Sequence, residues 1–394
     1  MLEREFPPMA SRERILQAAR SLQLSPLTEY LNTSKTIATC MLTDEYGTVV
    51  AEGAGKGIHA EIGALAESLE HFALNHDYSK DLVNTAIAKV RNQPFLSMDG
   101  LIANLPESQS LIECVSFKES RSGIVVKVPA VLHLPSSPLA ERIRSYDSFS
   151  FLSRYSSNSG IAFGCSEAEA RLHGINEVIE RHTLSKILMF LCGQHERLLL
   201  SSPAAHVLDE VFSEHPELRC VADNMKILII KTIYGVYFSI AIPKRPDGRH
   251  PICQIGSGCS IDARVAIQRA TTELLQCTLL FDDSEKAADL KTYALLRKTE
   301  RLRPLIDLEI LRNIEEVFRR LEPPVKLSVG DQIDSITDRA SATGLSILER
   351  TLLNFDNGCA VAHTYVPGME RFNLIRAGMP VVPQHLLHAN KSFV

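Results

Sequence analysis

The sequence lacks the features of several large classes of protein. Its 394 residues contain no apolar run of the roughly 18–20 residues that a membrane-spanning helix needs, so no membrane partner is predicted. The formal net charge is only −5 and no long block carries one sign, which argues against nucleic acid as a partner. The nine cysteines include no CxxC pair, and the start lacks a signal-peptide pattern. We therefore expect reduced thiols and a cytoplasmic location.

Three common catalytic motifs are also missing. There is no GxxxxGK[ST] sequence, which argues against a P-loop nucleotide site, and no HExxH sequence of the kind that binds zinc. The serines of SSNSG lie outside a GxSxG elbow, so a serine hydrolase is not indicated. His59, His71, His173 and His182 are scattered over two predicted helices, and they are more simply core or surface residues than zinc ligands.

What the sequence does contain is a mixture of strands and long helices. Two strands are predicted over 36–52 and a β-hairpin over 225–242. One long helix is predicted after the glycine-rich turn GAGKG, a second over 166–192 and a third over 262–280. No low-complexity linker divides the chain, so we predict one mixed α/β domain over 1–394 that is built from internally repeated units.

Two of these helices carry carboxylates at the same spacing. Glu67 and Glu70 are three residues apart, as are Glu177 and Glu180, so each pair occupies one helix face, and Glu169 extends the second stripe. Such pairs are common on solvated faces, but the first helix is apolar around most of its circumference, which predicts burial. Buried like charges cost several kcal/mol unless they are neutralised, and Mg²⁺ prefers oxygen ligands. We therefore predict a site for Mg²⁺ ions that bridge a nucleotide triphosphate.

Basic residues lie next to these acids in the sequence. Lys56 belongs to GAGKG, directly before a helix N-terminus whose N–H groups favour anions, although most such turns do not bind phosphate. Arg181 either binds phosphate or pairs with the glutamate four residues before it. The third helix places Arg269, Glu273 and Gln276 on one face, at spacings of four and three residues.

Four segments together resemble the YcaO family. GAGKGIHAEIGALAESLEHF is similar to its first motif, and SSNSGIAFGCSEAEARLHGINEVIERH is similar to its SNG segment and the ExxER helix that follows. ARVAIQRATTELLQ resembles its RAxxELxQ motif, and TYVPGME resembles its common VPGLE. The motifs keep the family's order over about 50–370, and a polar tail follows over about 371–394. The resemblance implies an ATP-binding fold with mixed sheets and long helices, unrelated to P-loop proteins.

The resemblance also assigns residues to the two cofactors that it implies, ATP and Mg²⁺. The metal is expected to be held by Glu67, Glu70, Glu169, Glu177, Glu180 and Gln276. The nucleotide is expected to contact Arg4, Ser11, Lys56, Arg181 and Arg269. No catalytic residue is assigned.

Two features depart from the family pattern. Cys165 stands where the family often has Asn, and a thiol is a poor ligand for Mg²⁺, so one metal position is expected to be lost or filled by water. From the residues alone, Cys165 is more simply a buried inert thiol than a nucleophile. The chain ends in GMPVVPQHLLHANKSFV, without the PxPxP tail of many members that form azole rings, which argues against autonomous azoline formation.

The chemistry implied by the resemblance is activation of a peptide-bond oxygen by ATP. A Cys, Ser or Thr side chain, or an external sulfide, adds to a backbone amide of a ribosomally made precursor peptide. The amide oxygen then takes the γ-phosphoryl group and leaves as phosphate, which gives a thiazoline, an oxazoline or a thioamide. Peptide-toxin clusters such as those for microcin B17 and trifolitoxin use discrete proteins of this size, so maturation of a bacteriocin-type peptide is favoured.

A partner protein is expected to present the peptide, because no N-terminal extension that could bind a leader peptide is evident. An E1-like partner would serve cyclodehydration and a TfuA-like partner would serve thioamidation, and the missing PxPxP tail slightly favours the second. A homodimer is expected by family analogy alone. Two alternatives stay open: a non-catalytic ATP-binding scaffold or regulatory subunit, and a metal-dependent hydrolase whose activity ignores ATP.

Overall fold

A computed structural model describes residues 3–76, 81–135, 149–324 and 326–389 of the chain. Its α-helices are α1 (Pro8–Ser21), α2 (Ala60–His76), α3 (Ile87–Arg91), α4 (Gly100–Ala103), α5 (Glu167–Leu191), α6 (Ala205–Val211), α7 (Pro216–Ala222), α8 (Ala263–Leu280), α9 (Asp283–Leu296), α10 (Pro304–Asp307), α11 (Glu309–Arg312), α12 (Val329–Ala342) and α13 (Gln384–Ala389). Its strands are β1 (Ser25–Tyr30), β2 (Ile37–Thr43), β3 (Val49–Lys56), β4 (Val83–Ala86), β5 (Leu111–Glu119), β6 (Val125–Pro129), β7 (Ile161–Gly164), β8 (Ser202–Pro203), β9 (Met225–Lys231), β10 (Tyr237–Pro243), β11 (Gly256–Ser260), β12 (Val317–Phe318), β13 (Leu348–Asn354) and β14 (Ala360–Tyr365).

The described strands form several separate sheets, and the larger ones are antiparallel throughout. β1, β2 and β3 form one antiparallel sheet, and β9, β10 and β11 form another with the order β11-β10-β9. A larger sheet has the order β4-β5-β13-β14-β7, and β6 also pairs with β5. Its pairing of β7 with β14 places Ala360 opposite Gly164, so segments almost 200 residues apart in sequence meet beside the functional site described below.

The three long helices α2, α5 and α8 cover these sheets. α2 packs on β3, α5 on β14 and β7, and α8 on β11. The packing is close: a Cβ on Gly55 would lie 1.7 Å from the carbonyl oxygen of Ala60, and one on Gly256 would lie 2.1 Å from that of Ala270. Glycine is therefore required where β3 and β11 pass beneath their helices. Two sheet-and-helix units, β1–β3 with α2 and β9–β11 with α8, each consist of three strands followed by a helix. An internal repeat in the sequence of these units stays a prediction.

The predicted elements are largely confirmed. α2, α5 and α8 match the three long helices, and β9 with β10 matches the hairpin. One expectation is wrong: GAGKG is not a turn, because its residues from Gly53 to Lys56 complete β3. Only Gly57, with a φ of +85°, turns the chain towards α2. Gly53 and Gly55 lie in the strand, where the absence of a side chain lets α2 pack closely against β3.

The segment after residue 370 is partly folded. Its described residues include a 3₁₀ helix, Phe372–Ala377, and Phe372 and Ile375 bury their side chains. Gln384 is also buried, and its amide NH₂ donates to the carbonyl of Met369 at 2.8 Å. Among the described helices, none has both the length and the apolar character that crossing a membrane requires.

Candidate functional site

A cavity of about 520 Å³ lies between α2, α5 and α8, and the N-terminal segment with α1 also lines it. Six glutamates and four basic side chains face this space. Every residue proposed for metal or nucleotide from the sequence lines it: Arg4, Ser11, Lys56, Glu67, Glu70, Glu169, Glu177, Glu180, Arg181, Arg269 and Gln276. Side chains from distant stretches of sequence are thus gathered around one enclosed volume.

The two acids of α2 are fixed by backbone N–H groups of neighbouring strands. Glu67 Oε2 accepts a hydrogen bond from the N–H of Ala54 in β3 at 2.8 Å. Glu70 Oε1 accepts one from the N–H of Phe163 in β7 at 2.7 Å. Each carboxylate therefore keeps its second oxygen for another partner, and the helix is tied to two sheets at once.

The acids of α5 are held in a similar way. Glu169 is 1% exposed and accepts from the N–H of Cys165 at 3.1 Å and of Glu5 at 2.5 Å. Glu177 accepts from the N–H of Gly160 at 3.1 Å, and Glu180 accepts from the hydroxyl of Ser257 at 2.7 Å. The hydroxyl of Ser166 caps α5 by accepting from the N–H of Glu169.

Burial and mutual repulsion change the proton affinity of these carboxyl groups. Burial raises the pKa of Glu177 from its usual 4.5 to about 7. Burial, with Glu67 close by, raises the pKa of Glu70 well above its usual range. Burial and the neighbouring Glu273 also raise the pKa of Glu180. The surroundings of these three carboxyl groups therefore disfavour their charged forms, and a bound cation would relieve this cost.

The basic residues of the cavity are paired with acids. Lys56 Nζ lies 2.6 Å from Glu273 Oε2. Arg269 donates to Glu3 at 2.6 Å and to the carbonyl of Cys259 at 2.7 Å. Arg181 Nε is 3.8 Å from Glu177, a separation at which the pair leaves guanidinium N–H groups available to a ligand. Arg181 can therefore pair with Glu177 and also bind a phosphate, the two roles that the sequence left open.

Two residues of the N-terminal segment, Arg4 and Ser11, line the same cavity. Arg4 lies 3.6 Å from Glu169 and keeps 44% of its side chain exposed. Ser11, in the first turns of α1, donates its hydroxyl to the carbonyl of Phe6 at 3.3 Å. The contact of both residues with nucleotide stays a prediction.

Two acids of the site were not proposed as ligands from the sequence. Glu273 shares a face of α8 with Arg269 and Gln276, so helical spacing could have indicated it. Glu3 is 8% exposed and accepts from Arg269 and, at 2.5 Å, from the hydroxyl of Ser260. No spacing in the sequence relates Glu3 to a helix that begins 260 residues later.

The four histidines do not form a zinc site. His173 lies in the cavity, and burial, with Arg269, Arg4 and Lys56 nearby, lowers its pKa well below the usual range. His182 accepts a hydrogen bond from the N–H of Glu370. Within the described ranges, no three His, Cys, Asp or Glu side chains converge tightly enough to hold a metal on their own.

Sequence comparison decides the family. A family model described as YcaO cyclodehydratase, ATP- and Mg²⁺-binding, matches residues 54–370. The chain belongs to the YcaO family. The cofactors of this family are ATP and Mg²⁺, as the motifs imply. No curated protein matches the sequence.

The fold agrees with solved YcaO structures. YcaO from Methanopyrus kandleri, bound with AMPPCP and Mg²⁺, is 19% identical with a TM-score of 0.61, and the match covers 97% of each chain. A heterocyclase in complex with substrate and cofactor is 16% identical with a TM-score of 0.61, over 93% of this chain and 53% of that one. The E. coli microcin synthetase McbBCD complex is 12% identical with a TM-score of 0.52, over 88% of each chain. At these identities the likeness establishes the YcaO fold.

The cavity of this YcaO protein fits both cofactors of its family. Six glutamates face four basic side chains, and the raised pKa values of Glu70, Glu177 and Glu180 show carboxyl groups whose charged forms a divalent cation would stabilise. Mg²⁺ usually completes its octahedral shell with phosphate oxygens and waters, so the lack of a ready-made metal cluster in the described part of the chain is consistent with metal and nucleotide binding together. The volume lies within the range of about 300–1,000 Å³ typical of small-molecule sites.

Proposed function

We propose that this YcaO protein is an ATP- and Mg²⁺-dependent enzyme that activates a peptide-bond oxygen of a ribosomally made precursor peptide. The observation that carries the proposal is the cavity in which six glutamates and four basic side chains are enclosed together. Such a mixture suits a metal-bound triphosphate, because the acids need a cation and the bases need an anion. The family description supports a cyclodehydratase-type modification.

The acidic residues of the cavity would bind the metal, and the basic residues would bind the phosphates. Glu67, Glu70, Glu177 and Glu180 would hold Mg²⁺, with Glu169 and Gln276 as further oxygen ligands. Lys56, Arg181 and Arg269, with Arg4 and Ser11 of the N-terminal segment, would bind phosphate oxygens. ATP supplies the phosphoryl group that makes the amide oxygen a leaving group. The protein's own part is to position the phosphates and to stabilise negative charge in a site sheltered from water.

The proposal covers two kinds of product, an azoline ring or a thioamide. The amide could become a thiazoline or oxazoline through an internal nucleophile, or a thioamide through external sulfide. A partner protein, E1-like or TfuA-like, would present the peptide, and bacteriocin maturation in the cytoplasm is the favoured setting. The E. coli microcin synthetase, whose fold is similar, is a complex named McbBCD, and this supports the expectation of a partner.

The test is ATP hydrolysis measured with a candidate peptide and partner, together with the mass of the peptide. Turnover that disappears in Glu177→Ala and Glu180→Ala, with loss of water from the peptide, supports ring formation. Exchange of one oxygen for sulfur supports thioamidation. Metal-dependent activity that ignores ATP would replace the proposal with a hydrolase.

A non-catalytic ATP-binding scaffold is the second candidate, and Cys165 favours it. Cys165 lines the cavity where the family often has Asn, and a thiol is a weak ligand for Mg²⁺. Tight ATP binding without turnover, for every peptide and partner offered, would support the scaffold. Recovery of turnover in Cys165→Asn would then identify the thiol as the cause.

A further inference from the structure

Asn176 has an unsatisfied side chain inside the cavity. It lies on α5, is 3% exposed and lines the cavity, yet neither its Oδ1 nor its Nδ2 has a hydrogen-bond partner among the described residues. Buried polar groups are almost always hydrogen-bonded, and leaving one unpaired costs about 1–3 kcal/mol. Its neighbours on the helix satisfy this rule, since Glu177 and Glu180 both accept hydrogen bonds. The carboxamide of Asn176 therefore points to a ligand that the cavity receives.

The position of Asn176 indicates the chemistry of that ligand. It follows His173 by three residues and precedes Glu180 by four, so it lies on the face of α5 that carries the acids. Burial and nearby cations keep His173 neutral, so the charged groups near Asn176 are the glutamates and the basic residues that face them. A carboxamide offers one hard oxygen and two N–H donors, which suit a metal cation and a phosphate oxygen respectively.

We propose that Asn176 is a ligand of the magnesium triphosphate, with Oδ1 directed to Mg²⁺ or its bound water and Nδ2 donating to a phosphate oxygen. This inference rests on the proposed function. It adds an uncharged residue, which directly precedes the ExxER sequence, to a set that otherwise has Gln276 and Ser11 as its uncharged members.

The test compares Asn176→Leu, which keeps the volume and removes the polar atoms, with Ser156→Ala. The hydroxyl of Ser156 is also buried and unpaired among the described residues, but Ser156 does not line the cavity. In nucleotide-free protein both variants should keep or raise the Tm, because an unsatisfied group is removed. The affinity for AMPPCP with Mg²⁺, measured by titration calorimetry, should fall about tenfold or more in Asn176→Leu, the loss of about one hydrogen bond to a charged group, and should not change in Ser156→Ala.

Unchanged affinity in Asn176→Leu would overturn this role for Asn176 and leave the proposed function standing. Failure of the unaltered protein to bind AMPPCP with Mg²⁺ would overturn the proposed function itself. If Asn176→Leu does not fold, Asn176→Ala gives the same comparison, because a smaller side chain adds no contact to the helix.

Cys165 and Cys359 form a second feature that the nucleotide site does not use. Gly164 pairs with Ala360 at the end of β7 and β14, so the two cysteines occupy the next cross-strand position. Side chains at facing positions of adjacent strands lie on the same face of the sheet, and both cysteines are buried. The Cys165 thiol donates to the carbonyl of Ser11 at 3.7 Å. Cys165 alone of the two lines the cavity.

The backbone at this position brings the two side chains together. The backbone N–H of Cys165 donates to Glu169, and that of Cys359 donates to Asn357 Oδ1 at 3.1 Å. The two cysteines therefore share no backbone hydrogen bond and form a non-hydrogen-bonded pair. The carbonyl of Cys359 accepts from Phe355 at 3.0 Å. In antiparallel sheets such non-hydrogen-bonded pairs have Cα atoms about 4.5 Å apart, which is within the range of about 4.4–6.8 Å that a disulfide requires.

We infer that Cys165 and Cys359 form a reversible disulfide when hydrogen peroxide enters the cavity that Cys165 lines. Hydrogen peroxide oxidises the Cys165 thiol to a sulfenic acid and releases one water. The Cys359 sulfur then attacks that sulfur, forms the S–S bond and releases a second water, so two thiols and one peroxide give one disulfide and two waters. A bound nucleotide would slow the first step, because Cys165 is reached through the cavity.

The test treats the protein with hydrogen peroxide and maps its peptides by mass spectrometry without reduction. The expected result is a Cys165–Cys359 linkage that dithiothreitol reverses, that Cys359→Ser abolishes and that AMPPCP with Mg²⁺ slows. Cys220→Ser is the control, since Cys220 is exposed and its removal should leave the linkage intact. Oxidation of Cys220 without any Cys165–Cys359 linkage would overturn the inference, and this outcome does not depend on nucleotide binding.

Discussion

Lys56 Nζ and Glu273 Oε2 lie 2.6 Å apart across the cavity, although 217 residues separate them in the sequence. Lys56 ends β3 and Glu273 lies on α8, so the pair joins the two sheet-and-helix units. Burial opposes both charges, but Lys56 and Arg181 together lower the pKa of Glu273, and Glu273 raises that of Lys56. Each residue therefore favours the charged form of the other.

Removal of either member of this pair should destabilise the nucleotide-free protein. We expect Lys56→Met and Glu273→Gln each to lower the free energy of unfolding by about 1–2 kcal/mol, because the partly buried partner loses its nearest opposite charge. The double variant should be less destabilised than the sum of the two. Urea unfolding of the four proteins measures this coupling.

The exposed pair of Arg20 and Glu13, at 3.2 Å with both side chains more than half exposed, is the matched control. Arg20→Met with Glu13→Gln should show a coupling of at most about 1 kcal/mol. Equal coupling in the two pairs would show that enclosure adds nothing to the pair in the cavity.

Gly55 should not tolerate a methyl group. Gly55→Ala would place Cβ 1.7 Å from the carbonyl of Ala60 and 2.3 Å from the N–H nitrogen of Ala64, so α2 must move away from β3. We expect a loss of about 3 kcal/mol or more in the free energy of unfolding, of the size produced by overpacking a core. Gly330→Ala, whose Cβ would lie 3.8 Å from its nearest neighbour, should change it by less than about 1 kcal/mol. A Gly55→Ala protein as stable as Gly330→Ala would contradict the close packing.

Sequence reasoning found much of this site because helical spacing and motif order are local. Glu67 with Glu70 and Glu177 with Glu180 can be assigned to helix faces from their spacing alone. That reasoning cannot show which faces meet. The Lys56–Glu273 pair depends on the packing of two separate sheets, and the contact of Glu3 with Arg269 depends on the path of the N-terminal segment.

The GAGKG segment illustrates a second limit. Clustered glycines are typical of turns, which favoured a turn at Lys56. In the fold, Gly53 and Gly55 are strand residues that allow α2 to approach, a role that depends on a helix elsewhere in the chain. The unsatisfied carboxamide of Asn176 is invisible to sequence reasoning for the same reason, since satisfaction of a polar group is a property of its tertiary surroundings.

Stability and ligand binding should respond to pH in opposite directions. The carboxyl group of Glu177 loses its proton near pH 4.5 in the unfolded chain and near 7 in the fold. Between these values the folded state holds the extra proton, so the Glu177 contribution to stability falls as the pH rises and levels off above about 7. The affinity for Mg²⁺ with AMPPCP should rise over the same window, because the metal needs the carboxylate.

Glu177→Gln isolates this contribution, because glutamine does not titrate. We compare the two proteins without nucleotide. The Tm of the variant minus the Tm of the unaltered protein should increase from pH 5 to pH 8. A constant difference between the two proteins over that range would be inconsistent with a raised pKa for Glu177.

Neutralising Glu70 should leave the stability of the nucleotide-free protein intact and remove the stabilisation that Mg²⁺ provides. A glutamine in Glu70→Gln can still accept from the N–H of Phe163, and it removes a charge that burial and Glu67 disfavour. At pH 8 the nucleotide-free variant should therefore be at least as stable as the unaltered protein. It should lose the additional rise in Tm that Mg²⁺ produces over EDTA in the presence of AMPPCP, since a ligand stabilises the fold only in proportion to its occupancy.

Glu61→Gln is the control for this experiment on the same helix. Glu61 accepts from Arg12 at 2.8 Å and does not line the cavity, so its variant should keep the rise in Tm that depends on Mg²⁺. If Glu70→Gln and Glu61→Gln responded to Mg²⁺ equally, Glu70 would have no part in holding the metal. Its burial would then need another cause, because a buried carboxylate without a cation lowers the stability of the protein that contains it.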